Sequence, residues 1–157
     1  MPRLLGRQAL RDTARAMSQE NDSPSGADLG KLVSSVFDAV DRRDLDAVMT
    51  LVHPDAEFHS RLAATEGRVY KGREGVRSFF RDVDETFDDV HRSAIEIVGM
   101  RGENVVLVSH IAGRGRGSGI PIEVERPQVW TFRDGKPWRN VVYDSIAEAL
   151  EAAGLSE

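Results

Sequence analysis

The chain has helical patterns in its first half and strand patterns in its second half, and this order limits the folds that it can adopt. Apolar residues at helical spacing dominate the first half, whereas β-prone segments separated by turn signals fill the second half. These patterns predict helices over residues 29–40, 45–52 and 73–87, strands over residues 56–60, 93–100, 105–116, 120–132 and 137–143, and a closing helix from Ser145. Helices followed by a run of antiparallel strands indicate an α+β domain, with helices packed on one face of a strongly curved sheet. Such a sheet closed by helices forms a cone whose interior is a pocket.

Local signals fix several of these boundaries. Asp44 is placed to cap the second helix, and Asp134-Gly135 is a strong signal for a hairpin turn. Ser145 and Glu148 form a capping box that opens the closing helix, and Gly154 stands where a glycine commonly ends one. These boundaries are therefore predicted from hydrogen-bonding and backbone requirements as well as from periodicity.

Composition argues against several classes of function. The chain of 157 residues carries a net charge of −5 and contains no cysteine. An acidic chain is a poor match for a dedicated nucleic-acid binder, and without cysteine there is no disulfide, thiol nucleophile or thiolate metal ligand. No apolar run approaches the roughly 20 residues needed to cross a bilayer. We therefore expect a cytoplasmic protein that binds neither nucleic acid nor membrane.

Residues 1–28 differ in composition from residues 29–155, which are expected to form one domain. Arginines recur every four residues from Arg3 to Arg15, and the polar, turn-rich stretch that follows is typical of a linker. The favoured prediction is a flexible N-terminal arm and linker, or residues upstream of a second start at Met17. A targeting segment or a binding arm is the alternative.

The segment RGRGSG, which begins at Arg114, has three interpretations: an RNA-binding tail, a phosphate-binding loop or the tip of a β-hairpin. Its glycine spacing does not fit GxGxxG and it lies between two strands, so we predict a strand end and a turn. Arg114 and Arg116 would then stand at the cavity rim. They either pair with acids such as Glu123 or Glu125, or form a cationic rim that steers an acidic ligand.

Five motifs carry a family resemblance through their order and spacing. They are DLDA (44–47), HPDAEF (53–58), YKGREGVRSFF (70–80), VWTFRDGK (129–136) and AEALEAAGL (147–155). Together they resemble the SnoaL-like branch of the nuclear transport factor 2-like superfamily. The resemblance implies a cone-shaped barrel with a deep cavity, and a homodimer formed through the outer face of the sheet. Because this superfamily includes isomerases, cyclases, epoxide hydrolases, dehydratases and non-catalytic binders, the fold alone does not define a function.

The catalytic positions of the superfamily's isomerases are changed in this chain. Ser60 stands at the position that matches their carboxylate base, and Val36 at that of their oxyanion-hole tyrosine. Gln128 matches the protonated aspartate that completes the oxyanion hole. The last-strand aspartate of the epoxide hydrolases falls near Val142. The resemblance therefore carries neither mechanism over to this chain.

Strand alternation, with Gln128 taken as inward from the resemblance, predicts the side chains that line the cavity. The predicted set is Phe58, Ser60, Phe79, Phe80, Val106, Val108, His110, Ala112, Val124, Gln128, Trp130, Phe132, Trp138, Asn140 and Val142. Tyr70 lies over the mouth of the cone, where its hydroxyl either reaches the cavity or packs on the helix. Asp144 either faces inward or caps the closing helix. The predicted wall is apolar and aromatic, with few polar groups.

His110 is the candidate catalytic residue, because a histidine in an apolar cavity can transfer protons near neutral pH. The alternative is a core histidine that is hydrogen-bonded to Gln128 or Asn140. The candidate ligand-binding residues are Ser60, Tyr70, Phe79, Gln128, Trp130, Asn140 and Arg114. The four histidines lack HxH and HxxxH spacing, so neither a metal nor another cofactor is predicted.

Two functions follow as hypotheses. The first is a cofactor-independent isomerase, cyclase or dehydratase that acts by proton transfer on a small apolar or aromatic carbonyl compound. The second is a non-catalytic ligand-binding or accessory dimeric protein, motivated by the changed catalytic positions. Turnover of a bound ligand separates the two.

Overall fold

The computed structural model describes residues 26–60 and 69–155, without the side chains of residues 26, 27, 93 and 94. The helices are α1 (Gly26–Asp41), α2 (Leu45–Leu51), α3 (Gly72–Thr86) and α4 (Ile146–Ala152). The strands are β1 (Glu57–His59), β2 (Val69–Lys71), β3 (Phe87–Arg101), β4 (Asn104–Gly115), β5 (Pro121–Arg133) and β6 (Lys136–Val142). The predicted N-terminal arm lies outside the described residues up to residue 25, as do residues 61–68 of the polar connection.

The six strands form one sheet in the order β2-β1-β6-β5-β4-β3. Strands β3 to β6 are neighbours in sequence and pair antiparallel, as do β1 and β2. The pairing of β1 with β6 is parallel, so the otherwise antiparallel sheet is mixed at this one junction. A parallel pair needs a long crossover connection, which is supplied here by all the elements between β1 and β6.

Register shifts bend the sheet into a half-barrel. Strand β3 has three of them along its pairing with β4, and β5 has one against β6 between Thr131 and Phe132. An extra residue in one strand bends that strand and increases its twist. The bent sheet therefore wraps around α1 and α3, as the α+β cone prediction requires.

Each face of the sheet has its own apolar core. Val105, Leu107, Trp130 and Phe132 pack against the helices on the concave face. Val106 and Val129 point the opposite way and pack against α4 on the convex face. Successive residues of one strand alternate between faces, so β4 contributes apolar side chains to both cores.

The predicted caps and turns are confirmed. The Asp44 carboxylate accepts a hydrogen bond from the backbone N–H of Ala47 at 3.0 Å. Ser145 caps α4 in the same way through the N–H of Glu148 at 3.1 Å. Asp134 and Gly135 have φ of 54° and 77°, the left-handed backbone that a tight hairpin turn needs.

Two boundaries differ from the predictions. The third helix ends at Thr86, and Phe87 already belongs to β3, which begins six residues before the predicted strand. Phe87 pairs with Gly115 at the far end of β4, a long-range pairing that outweighs the helical spacing of its neighbourhood. Strand β2 was not predicted either, because its three residues continue a polar connection and are ordered by pairing with β1.

Gly75 in α3 marks a close approach of this helix to β2. A Cβ built on Gly75 would lie 2.5 Å from the carbonyl carbon of Tyr70, which is nearer than any real contact. Gly75→Ala is therefore expected to lower the free energy of unfolding by about 1 to 3 kcal/mol, although alanine favours helix over glycine. Urea denaturation measures the change. The exposed neighbour variant Arg77→Ala should shift stability by less than about 0.5 kcal/mol, and an equally small shift for Gly75→Ala would contradict the close approach.

Candidate functional site

A cavity of about 80 Å³ lies between the concave face of the sheet and helices α1 and α3. Its wall is mostly apolar and aromatic, with a few amide, hydroxyl and guanidinium groups. The lining residues are Val36, Phe37, Val40, Val48, Phe58, Ser60, Val76, Phe79, Arg92, Ile111, Arg126, Gln128, Trp130, Asn140 and Val142. An apolar enclosure with a small number of convergent polar groups is typical of a small-molecule site.

Gln128 is the centre of a buried hydrogen-bond network in this wall. Its Oε1 accepts from Trp130 Nε1 and from Asn140 Nδ2, each at 2.8 Å. Its Nε2 donates to Ser109 Oγ at 2.8 Å and to the backbone carbonyl of Arg126 at 3.2 Å. Both ends of the amide are thus satisfied, and Gln128 holds its neighbours in place without a remaining group for a ligand.

The indole of Trp130 fixes the orientation of both amides. Because an indole N–H can only donate, the Gln128 atom that it contacts must be the carbonyl oxygen. The Asn140 atom that contacts the same oxygen must then be its NH₂ group. Asn140 Oδ1 has no protein donor within the described ranges 26–60 and 69–155. It is therefore an acceptor in the cavity wall that is open to a ligand or to water.

Arg92 places a guanidinium in the cavity wall, and the side chain is only 7% exposed. Its Nη1 lies 2.7 Å from Asp41 Oδ1, while its backbone N–H donates to Asp41 Oδ2 at 2.8 Å. The guanidinium also lies over the rings of Phe37 and Phe79, at 5.7 and 5.8 Å from their centroids. Burial lowers the pKa of Arg92 from its ordinary value, whereas the Asp41 carboxylate acts in the opposite direction.

Arg92 is a cavity-lining residue that the sequence patterns do not predict. It starts no recognisable motif, and its partner Asp41 is 51 residues away in the chain. In the sequence, Arg92 is visible only as a charged residue in a β-prone segment, and Asp41 only as an aspartate at the end of the first helix. That pattern is common on protein surfaces, so it does not single out a buried pair.

Arg126 is the second arginine of the wall. It is half-buried and also lines an adjoining cavity of about 90 Å³. The other residues of that second cavity are Phe87, Val90, Ile111, Gly113, Ile122 and Val124, which lie on β3, β4 and β5. Ile111 and Arg126 therefore stand between the two cavities and contribute to both.

The structure brings five of the candidate ligand-binding residues together. Ser60, Phe79, Gln128, Trp130 and Asn140 all lie in the wall of the first cavity. Their elements are β5, β6, helix α3 and the end of β1, so the set forms only when the sheet closes over the helices. The alternation predicted for β5 agrees with the observed inward face.

His110 does not face the cavity, and the predicted inward set of β4 is wrong by one residue. Leu107 lies opposite Gln128, and Ser109 and Ile111 share the inward face. His110 lies on the convex side with Val108 and Ala112, and its Nε2 is 3.3 Å from Glu123 Oε2. The physical reason is that α4 covers part of the convex face, so β4 is apolar on both sides and its alternation carries no clear signal.

Three other candidates lie elsewhere. Trp138 falls at the irregularity between β5 and β6 and stacks with Arg133, whose guanidinium is 3.6 Å from its ring centroid. Tyr70 is buried under α3, where its hydroxyl donates to Asp82 Oδ2 at 2.7 Å. Asp144 is exposed and does not face inward. These placements correct the predicted inward position of Trp138, exclude the inward alternative for Asp144, and place Tyr70 on the helix.

Arg114 and Arg116, predicted at the cavity rim, line neither cavity, and both are paired with aspartates. Arg114 forms an ion pair with Asp89, and Arg116 Nη2 lies 3.1 Å from Asp88 Oδ1. The hydrogen bond from Arg114 to Asp89 raises the pKa of Arg114. The expected partners Glu123 and Glu125 are therefore replaced by two residues at the start of β3.

Two kinds of feature are absent from the described part of the chain. Among residues 26–60 and 69–155, no three or more His, Asp or Glu side chains are grouped so that they could hold a metal ion. No helix within these residues is both long enough and apolar enough to cross a membrane.

Comparison with solved structures identifies the fold. A nuclear transport factor 2-like protein from Burkholderia pseudomallei has a TM-score of 0.62 and 21% identity, over 78% of this chain and 95% of that one. A protein with a ketosteroid isomerase-like fold from Catenulispora acidiphila, in complex with trimethylamine, has a TM-score of 0.59 and 21% identity, over 79% and 92%. TerC, co-crystallised with polyporic acid, has a TM-score of 0.61 and 21% identity, over 77% and 96%. At such identities the likeness shows the fold alone.

Comparison by sequence identifies the family. No curated protein matches the chain. The family profile described as the SnoaL-like domain matches residues 33–140, which include α1 from its second turn, the sheet up to β6 and most of the cavity wall. Because this match covers well over half of the sequence, the chain belongs to the SnoaL-like domain family.

Proposed function

We propose that this protein binds a small, largely apolar molecule that carries a ring and a carbonyl or related oxygen group. The observation that carries the proposal is the aromatic cavity, in which a few polar groups converge on one region. Apolar walls supply the driving force for binding, and sparse polar groups set the orientation of the ligand. Non-catalytic binding is the function that these residues support best.

The aromatic wall supports a ring-shaped ligand because it is held rigidly. Trp130 is fixed by its hydrogen bond to Gln128 and by edge contacts with Phe37 and Phe58, at centroid distances of 5.7 and 6.1 Å. A preformed aromatic surface loses little conformational entropy when a ligand stacks on it. We therefore place the ring of the ligand beside Trp130.

The polar groups support an oxygen-bearing ligand. The NH₂ group of Asn140 has a second hydrogen beyond the one given to Gln128, and Arg92 presents further N–H groups toward the same apolar space. Such donors match a carbonyl, enol or carboxyl oxygen. Asn140 Oδ1 adds one acceptor for a ligand hydroxyl.

Proton-transfer catalysis is a second candidate, favoured by these same donors. N–H groups fixed in a dry cavity can stabilise an oxyanion that develops on an isomerase, cyclase or dehydratase substrate. Such a reaction also needs a base, and the lining residues described in 26–60 and 69–155 include no carboxylate, imidazole or phenol. Binding without turnover is therefore the better-supported proposal.

The solved relatives support small-molecule binding in general but not one ligand. One was crystallised in complex with trimethylamine and another with polyporic acid. These compounds differ widely in size and chemistry. The residues of this chain's own cavity must therefore define what it selects.

A homodimer is proposed from the family resemblance alone. The dimer would use the part of the convex face that α4 does not cover, where the described residues include His110, Glu123 and Glu125. Sedimentation equilibrium of the full chain measures the mass directly, and a monomer at tens of micromolar concentration would contradict this part of the proposal.

The binding proposal is tested with 2-tetralone, a ring ketone with exchangeable α-protons. Trp138→Phe leaves Trp130 as the sole tryptophan, so quenching of its fluorescence reports occupation of the cavity. Val142→Phe places a ring in the cavity and is expected to weaken binding by about tenfold or more, because the added atoms fill the ligand's space. Val141→Phe alters the neighbouring residue on the other face of β6 and should leave binding unchanged.

Deuterium exchange at the α-carbons of 2-tetralone, followed by NMR in D₂O, separates the two candidates. Binding without accelerated exchange is the expected result. Exchange that is accelerated in the wild type and lost in Val142→Phe would favour catalysis instead. If no ligand in a ring-ketone series quenches Trp130 or raises the Tm, the binding proposal is wrong.

A further inference from the structure

Arg126 is the cavity arginine whose charge has no counterion in the described part of the chain. Its side chain forms no ion pair with any carboxylate of residues 26–60 or 69–155, although it is half-buried and lines both cavities. Its backbone carbonyl is occupied by Gln128 Nε2 at 3.2 Å, which fixes the strand but leaves the guanidinium untouched. A half-buried cation without a partner favours an anion at that point.

The neighbouring arginines differ because each has its own carboxylate. Arg92 is bound by both oxygens of Asp41, so that pair is neutral as a unit. Arg114 pairs with Asp89, and Arg116 pairs with Asp88. The uncompensated positive charge of this region is therefore concentrated on Arg126.

The position of Arg126 also limits the shape of the ligand. It stands with Ile111 between the cavity of about 80 Å³ and the one of about 90 Å³. Apolar surface continues on both sides of the guanidinium, toward Trp130 in the first cavity and toward Val124 in the second. A ligand bound here meets one charged group flanked by two apolar compartments.

We infer that the natural ligand is a monoanion, an aromatic compound with a carboxylate or an acidic enol, whose charged oxygens bind Arg126 while its apolar parts fill the two cavities. This inference rests on the proposed binding function. It adds the charge of the ligand and the residue that binds the charged oxygens. A planar guanidinium can donate two parallel hydrogen bonds to such an oxygen pair, which gives orientation as well as affinity.

The test compares 2-naphthoate with 2-naphthamide, which have nearly the same shape and differ in charge. Binding is followed by Trp130 fluorescence in the Trp138→Phe background, at fixed low ionic strength. The wild-type cavity is expected to bind the carboxylate about tenfold more tightly than the amide. In Arg126→Gln the two affinities should become equal within about twofold, through weaker binding of the carboxylate.

Two further variants control for net charge and for folding. Arg77→Gln removes the same charge from the exposed surface of α3 and should retain the preference for the carboxylate. Arg126→Lys keeps the charge but loses the paired donors, so it should retain a preference for the carboxylate that is smaller than that of the wild type.

The possible outcomes distinguish failure of this inference from failure of the proposed binding function. Equal binding of the two compounds to the wild type would overturn the anionic ligand and leave the binding function standing. A carboxylate preference that survives in Arg126→Gln would overturn the role of Arg126. Failure of both compounds and of the ring ketones to bind would overturn the binding function itself.

Discussion

Replacing Asp41 with alanine is expected to lower the free energy of unfolding by about 3 to 5 kcal/mol. The Asp41 carboxylate compensates the charge of the Arg92 side chain, which is only 7% exposed. It also accepts a hydrogen bond from the backbone N–H of Arg92. Its removal leaves a buried guanidinium without a counterion, which costs more than the attraction of the pair contributes. Urea denaturation of the two proteins, followed by far-ultraviolet circular dichroism, measures the difference.

Two comparisons make this prediction specific to the buried pair. Asp41→Ala combined with Arg92→Met removes both charges and should recover most of the lost stability. Glu74→Ala breaks the exposed Arg77–Glu74 pair and should cost less than about 1 kcal/mol. Equal losses for Asp41→Ala and Glu74→Ala would show that Arg92 does not depend on its counterion.

Replacing Gln128 with leucine is expected to lower the free energy of unfolding by about 3 kcal/mol. The substitution conserves much of the volume but removes the acceptor of Trp130 Nε1 and Asn140 Nδ2, and the donor to Ser109 Oγ. Trp130 and Ser109 are buried, so bulk water does not replace their missing partner. Equilibrium denaturation measures the loss, and a changed emission maximum of Trp130 in the Trp138→Phe background reports the released indole.

A variant that loses only one hydrogen bond gives a reference value for the loss in free energy of unfolding. Thr131→Val removes the hydrogen bond from Thr131 Oγ1 to Asn104 Oδ1, which is 2.7 Å long and partly buried. That loss should be about 1 kcal/mol. A cost for Gln128→Leu no larger than for Thr131→Val would contradict the view that Gln128 organises the cavity wall.

Much of the fold follows from local features of the sequence. Asp44 and Ser145 each cap the helix for which they were predicted, since capping depends on a side chain and an N–H three residues away. The turn at Asp134-Gly135 depends only on two residues that tolerate positive φ. The inward face of β5, with Gln128 and Trp130, follows from simple alternation once one residue is placed.

The missed features depend on long-range structure. Strand β4 is apolar on both faces because α4 packs on the side opposite the cavity, and this misplaced His110. Arg92 becomes a cavity residue only because Asp41, at the end of α1, comes to lie beside it. The pairing of Arg114 with Asp89 likewise requires β3 to begin before the predicted strand. Periodicity within one segment contains no information about such partners.

The parallel junction of β1 with β6 has a consequence for folding kinetics. Strands β3 to β6 join neighbours in sequence, whereas Phe58 meets Asn140 only after a large loop has closed. Because closure of a large loop is entropically costly and non-local pairing is slow, this junction is expected to form late. Both of those residues line the cavity, so we expect the cavity to be completed after the folding transition state. A ligand would therefore lengthen the lifetime of the folded protein by slowing its unfolding, with little effect on the rate at which the chain folds.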